Sequence, residues 1–131
     1  MSEMSNYLEN ALINVTLRAT SYTAPTTVYV ALYTADPTDA DLTANEVSTS
    51  GTGYARTAVT FAAPSNGVST NSADVTFPTA TASFGTVTHI GLRDASTAGN
   101  LLYHTPLDAS KTIASGDIFK ISTGNLSVTL A

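Results

Sequence analysis

The hydrophobic pattern changes period once along the chain. Near the start, Leu8, Ala11, Leu12, Val15 and Ala19 recur every three or four residues, the spacing that lines one face of a helix. Ser2 or Ser5 is placed to cap it, Glu3 and Glu9 lie toward its positive end, and Arg18 toward its negative end. Ile13 and Leu17 form a second apolar row on another face. Such a helix either touches more than its own core or closes an open sheet edge. After Pro25 the period falls to two. Residues 26–34 alternate Val28, Val30 and Leu32 with Tyr29, Ala31 and Tyr33. β-Branched and aromatic residues suit a pleated surface, and both rows are largely apolar, so a central strand is expected there.

Further strands are predicted at 54–61, 68–70, 73–77, 86–93, 101–104, 118–122 and 126–130, punctuated by Asn66-Gly67, Ser115-Gly116-Asp117 and Thr123-Gly124-Asn125. In 86–93 the alternation sets Val87, His89, Gly91 and Arg93 on one face and Thr86, Thr88, Ile90 and Leu92 on the other. About eight short strands and one helix point to an all-β domain, an antiparallel β-sandwich or jelly roll. The expected organisation is an N-terminal helix or arm over 1–22 and a β-sandwich domain over 23–131. The loop 36–53 is far longer than a usual connection, so it is mobile or makes contacts.

Composition narrows the function. The chain has 131 residues, enough for one domain. It carries 23 Thr and 14 Ser, only 11% charged residues and a net charge of −5, so hydroxyls dominate its surface. Five scattered basic residues do not make a phosphate-binding patch, which argues against nucleic acid as a partner. Without Cys there are no disulfides, thiolate metal sites or cysteine nucleophiles. No apolar run is long enough to cross a bilayer, and the first ten residues lack the basic-then-apolar order of a secretory leader, so neither membrane insertion nor export through such a leader is expected.

Candidate chemistry is sparse. His89 and His104, with Asp94 or Asp108, would have to meet a nucleophile or a third ligand to make a hydrolase or metal site. With so many hydroxyl side chains a serine can always be drawn beside them, so two structural histidines are the better reading. Asp36, Asp39 and Asp41, followed by Glu46, offer hard oxygens. They miss the helix-loop-helix calcium spacing, and a solvated acidic loop is the plainer expectation. Catalytic residues, metal ligands and cofactors are therefore expected to be absent. The residues best suited to an interface are Tyr7, Leu8, Leu12, Ile13 and Leu17 on the helix, Tyr29 and Tyr33 on one strand face, and Arg56 and Arg93 within strands. Core and surface positions on an ordinary strand are the competing readings for the last four.

Several long segments carry a resemblance. They are Ser5-Asn6-Tyr7-Leu8-Glu9-Asn10-Ala11-Leu12, then Pro25 to Thr34 followed by Asp36-Pro37-Thr38, and Tyr54-Ala55-Arg56. Phe77-Pro78, Gly85 to Gly91, Asn100 to His104 and Ser115-Gly116-Asp117 continue it. Together they resemble a family of small virion proteins of tailed bacteriophages, often labelled tail fibre-like. The resemblance implies a non-enzymatic structural protein, made in the host cytoplasm and carried on the virion. Shortness and lack of repeats favour a capsid decoration, or cement, protein on the capsid surface, with the major capsid protein as partner and a homo-trimer as the expected assembly. The alternative is a tail or tail-fibre-associated adhesin that contacts host glycan.

Overall fold

A computed structural model describes residues 2–130. A two-residue strand, β1 (Glu3–Met4), precedes helix α1 (Asn6–Leu17). The strands that follow are β2 (Val28–Tyr33), β3 (Thr57–Val59), β4 (Val68–Thr70), β5 (Val75–Thr76), β6 (Gly85–Arg93), β7 (Leu101–Ile113), β8 (Lys120–Ile121) and β9 (Ser127–Thr129). Five of them form one antiparallel sheet in the order β1-β7-β6-β2-β3. The remaining four pair as two short ribbons, β4-β9 and β5-β8. The protein is thus mostly β with one short N-terminal helix. Of the expected sandwich or jelly roll, the structure has one five-stranded sheet and two separate two-stranded ribbons.

The main core lies between them. Val30 and Leu32 of β2 and Ile90 and Leu92 of β6 pack with Val75, Phe77, Phe119, Ile121 and Leu126 from the ribbons and their flanks. Phe77 meets Phe119 edge-on at 5.6 Å between ring centres, and Tyr54 meets Phe84 edge-on at 5.7 Å, a favoured aromatic geometry. Asn71, 1% exposed, ties the ribbons to this layer: its Oδ1 accepts from the Leu126 N–H and its Nδ2 donates to the carbonyls of Ala73 and Ser122.

β2 is central, as its two apolar rows predict, flanked by β6 and β3. The strict alternation expected for 86–93 fails at one place. A register shift between Val87 and His89 turns Val87 into the main core with Ile90 and Leu92. β7 runs nine residues past the four that the pattern marks, because Thr105-Pro106 interrupts the signal. Pro106 is tolerated because it sits opposite His89 at that irregularity, and β1 pairs only with Tyr103 and His104. The Asn66-Gly67 turn forms as predicted, with φ of 53° and 78° and the bridge Ser65–Val68 around it.

On the opposite face of the sheet, Ala31, Tyr33 and Leu101 make a small second nucleus. Gly91 is needed at its centre. A Cβ there would lie 2.7 Å from Leu101 Cδ1 and 2.8 Å from Tyr33 Cε2. This face is covered by the 36–47 segment rather than by a second sheet.

Candidate functional site

The loop-covered face holds most of the buried charge. Arg93 ends β6 opposite Tyr29, which turns its side chain onto the face of Ala31 and Tyr33. That side chain is 1% exposed. It pairs in a fork with Asp41, Nη1 to Oδ1 at 2.6 Å and Nη2 to Oδ2 at 2.9 Å, and Nη1 also donates to the Tyr33 hydroxyl at 3.0 Å. Nη2 donates to the Gly99 carbonyl at 3.1 Å. Among the described residues, Arg93 Nε is the buried side-chain nitrogen left without a partner. Burial disfavours the Arg93 cation, yet the Asp41 and Tyr33 contacts outweigh it and raise its pKa. Burial likewise holds the Tyr33 phenol above its ordinary value.

Arg56 makes the matching clamp at the far end of the loop. Its Nε and Nη2 donate to Glu46 Oε2 and Oε1, both at 2.8 Å, and its Nη1 donates to the carbonyls of Ala95 at 3.0 Å and Ala98 at 2.8 Å. The Tyr54 hydroxyl donates to Glu46 Oε2 at 2.7 Å and accepts from the Leu32 N–H at 3.0 Å. Burial pushes the Glu46 carboxyl up, but the hydrogen bonds from Arg56 and Tyr54 win and hold it below the usual carboxylate range. Glu46 also bridges Tyr33 along β2, beyond the stretch that β3 pairs. The two arginines therefore fasten the loop at Asp41 and Glu46 and, through the 95–99 carbonyls, the turn after β6. Asp94 closes that turn by accepting from the Asn100 N–H at 2.7 Å and its Nδ2 at 3.0 Å.

The third fastening is His104 on β7, 3% exposed. Its Nε2 lies 2.8 Å from Asp39 Oδ1 and 3.9 Å from Glu3 Oε2, and its Nδ1 lies 3.6 Å from Asp36 Oδ1. The Asp39 carbonyl accepts from the Asn6 N–H at 2.9 Å, which joins the loop to the start of α1. Ser5 completes the corner. Its Oγ donates to the Leu101 carbonyl and accepts from the Leu8 N–H, while its own N–H donates to the Leu102 carbonyl at 2.9 Å. Thr38 and Asp41 take φ of 56° and 60°, the left-handed region. Aspartate tolerates it, but β-branched threonine is strained there, and the clamps on either side hold it in place.

The loop acids do not gather into a calcium cage: Asp41 goes to Arg93, Asp39 to His104, and Asp36 Oδ1 accepts from the Thr38 N–H at 2.8 Å. Nor is the loop merely solvated, since each of these carboxylates has a partner in the chain. His89 is engaged by Thr88 Oγ1 at 2.8 Å and His104 by carboxylates, and among the described residues no serine hydroxyl is hydrogen-bonded to either ring. Ligand atoms of Glu3, Asp39 and His104 come within 4.8 Å of one another, with both acids exposed.

Of the residues expected at an interface, Leu8, Tyr33 and Arg93 are buried within the chain, and the Arg56 side chain is 8% exposed with each of its nitrogens engaged. Leu12 and Tyr29 are half-buried. Tyr7, Ile13 and Leu17 are open, at 41%, 53% and 79% exposure. Only the first turns of α1 are tied down; the Ile13/Leu17 row faces outward. The sequence marks Asp39, Asp41 and Glu46 only as loop acids; their pairing with His104, Arg93 and Arg56 is what pattern reading misses. Two strand arginines on faces that also carry tyrosine, facing a loop with four acids, are the signal that could have found them.

Among the described residues no helix is long and apolar enough to cross a membrane. No curated protein matches the chain. A family model described as "Podophage GP4 fiber I protein gp80" matches residues 3–129, and its description is of a fibre protein rather than a catalyst. That match covers nearly the whole chain, both arginine clamps and helix α1 included, so the protein belongs to this family of podophage fibre proteins and is a structural component of the virion, not an enzyme.

Proposed function

We propose that the chain is a tail-fibre-associated subunit that builds its assembly contacts on the Ile13/Leu17 row of α1 and presents its remaining surface to the host. The observation that carries this reading is the family match together with the outward Ile13/Leu17 row. An apolar row on a helix that its own core does not use calls for a partner. The loop clamps serve that role indirectly, because they fix the start of the helix to β7 and so set the angle at which the row projects. Self-association as a trimer is the expected stoichiometry. Weak contacts repeated around such an assembly reinforce one another through effective concentration. Attachment to the major capsid protein as a decoration subunit is the competing placement.

Replacing Ile13 and Leu17 together by Ser tests the contact. Both are exposed, so the purified variant should unfold within a few degrees of the wild type. Light scattering should show loss of the oligomer, and particles should incorporate at least tenfold less of the chain. Unchanged incorporation and unchanged mass would refute the role given to α1.

A further inference from the structure

A groove beside α1 has no part in the clamps or in the Ile13/Leu17 row. After Arg18 the chain reverses: Ala19 takes φ of 51° and the Thr20 N–H donates to the Asn14 carbonyl at 3.1 Å, so residues 20–23 run back along the helix. The helix presents Tyr7, Asn10, Ala11 and Asn14 to that strand of chain, four positions of one stripe, with Ala11 leaving the floor open. The space between is about 400 Å³, within the range of small-ligand clefts.

The lining is neutral throughout. It consists of amides, hydroxyls and the two phenol rings of Tyr7 and Tyr22, with no charged side chain. Burial, then the neighbouring Tyr7, holds the Tyr22 phenol above its ordinary pKa, so it stays a neutral donor. The Asn14 Oδ1 is taken by Arg18 Nη1 at 3.0 Å. Among the described residues, the Asn10 amide and the hydroxyls of Tyr7, Ser21, Tyr22 and Thr23 have no side-chain hydrogen-bond partner. Amide and hydroxyl groups beside aromatic faces match a ligand whose ring has polar edges and apolar C–H faces. A neutral sugar has that form. An anionic polymer is disfavoured, because the cation beside the groove, Arg18, is engaged by Asn14 Oδ1 and the protein is net negative.

The geometry points to this groove as a binding site for a neutral glycan, with Tyr7 and Tyr22 as stacking surfaces and Asn10 as the main hydrogen-bonding group. The assignment rests on the host-facing reading above and names the ligand for it. The test uses the full chain and polysaccharide released from the cell surface of the strain on which the phage is propagated, with dextran sulfate as the anionic control. Saturation-transfer NMR should show binding of the neutral polysaccharide that persists in high salt, with shifts at the Asn10 and Asn14 side-chain amides. Tyr7→Ala and, separately, Asn10→Ala should each weaken binding about tenfold while the melting temperature holds. Equal binding by wild type and both variants, binding of the sulfated control only, or no binding would overturn the assignment, the last also being the result if a neighbouring copy covers the groove. These outcomes are separable from the placement of the chain: a protein seen on the fibre that binds no sugar ends the glycan site alone, and a sugar-binding protein seen on the head ends the fibre placement alone.

Discussion

The two faces of the five-stranded sheet are closed by different physics. One is covered by ribbons that bring Phe77, Phe119, Ile121 and Leu126 onto Val30, Leu32, Ile90 and Leu92, and apolar area is the main thing that holds them, with Asn71 as a buried polar tie. The other is covered by a polar loop with little apolar area to bury. Its small nucleus of Ala31, Tyr33 and Leu101 is completed by Arg93–Asp41, Arg56–Glu46 and His104–Asp39. A sheet can therefore be sealed by a loop, provided that each inward arginine finds a carboxylate and the surrounding carbonyls take up most of the remaining donors. The ribbon side carries one exposed pair, Lys120–Asp74 at 3.2 Å, and the clamped side carries buried ones, so pH and salt should act mainly on the clamped side. The clamped side is also the one that fixes α1.

The largest expected effect breaks the apolar side. Phe77, 2% exposed, contacts both Tyr54 and Phe119. Phe77→Ala should cost about 3–5 kcal/mol in urea unfolding, and should do so equally at low and high salt. Next comes Arg93→Ala, which leaves Asp41 and the Tyr33 hydroxyl without their partner; a loss of about 3 kcal/mol is expected. Hydrogen exchange separates the two variants. With Arg93 gone, the N–H groups of Leu42 and Leu101 should exchange faster, since one is held within the loop by the Pro37 carbonyl and the other by Asp41 Oδ2. Equal exchange in both variants would mean that the loop does not depend on its clamp.

The smallest effect is a pH dependence. Glu46 is held below its ordinary value of 4.5 in the folded chain, so between the two values the unfolded chain binds the extra proton. Its contribution is complete above about pH 4.5 and drains away as pH falls through the folded value. Glu46→Gln should be less stable near neutrality and should lose stability less steeply on acidification. An unchanged acid slope would remove Glu46 from the pH-sensitive side.

The same division explains what the sequence reveals. The apolar side follows from period: β2, the β4 hairpin turn and most of β6 lie where alternation and Asn66-Gly67 put them. Alternation misplaces Val87 because a bulge shifts register without changing composition. It also stops at Thr105-Pro106, although β7 continues to Ile113. The predicted strand at 54–61 shrinks to Thr57–Val59, because Tyr54 and Arg56 turn toward Glu46 instead of extending a ladder. The clamped side has no period. Asp39, Asp41 and Glu46 are recognisable only once the sheet has brought Arg93, Arg56 and His104 to one place. Helix α1 was legible in its apolar stripe, but the groove beside it depends on the reversal at Ala19, which no local pattern marks.

Cryo-electron microscopy of the intact parent particle tests the central claim most directly. Density fitting this fold should occur at the tail, on a fibre, with the Ile13/Leu17 row of α1 against a neighbouring subunit and the clamped loop intact. The same fold seen on the head lattice, bound to the major capsid protein, would contradict it.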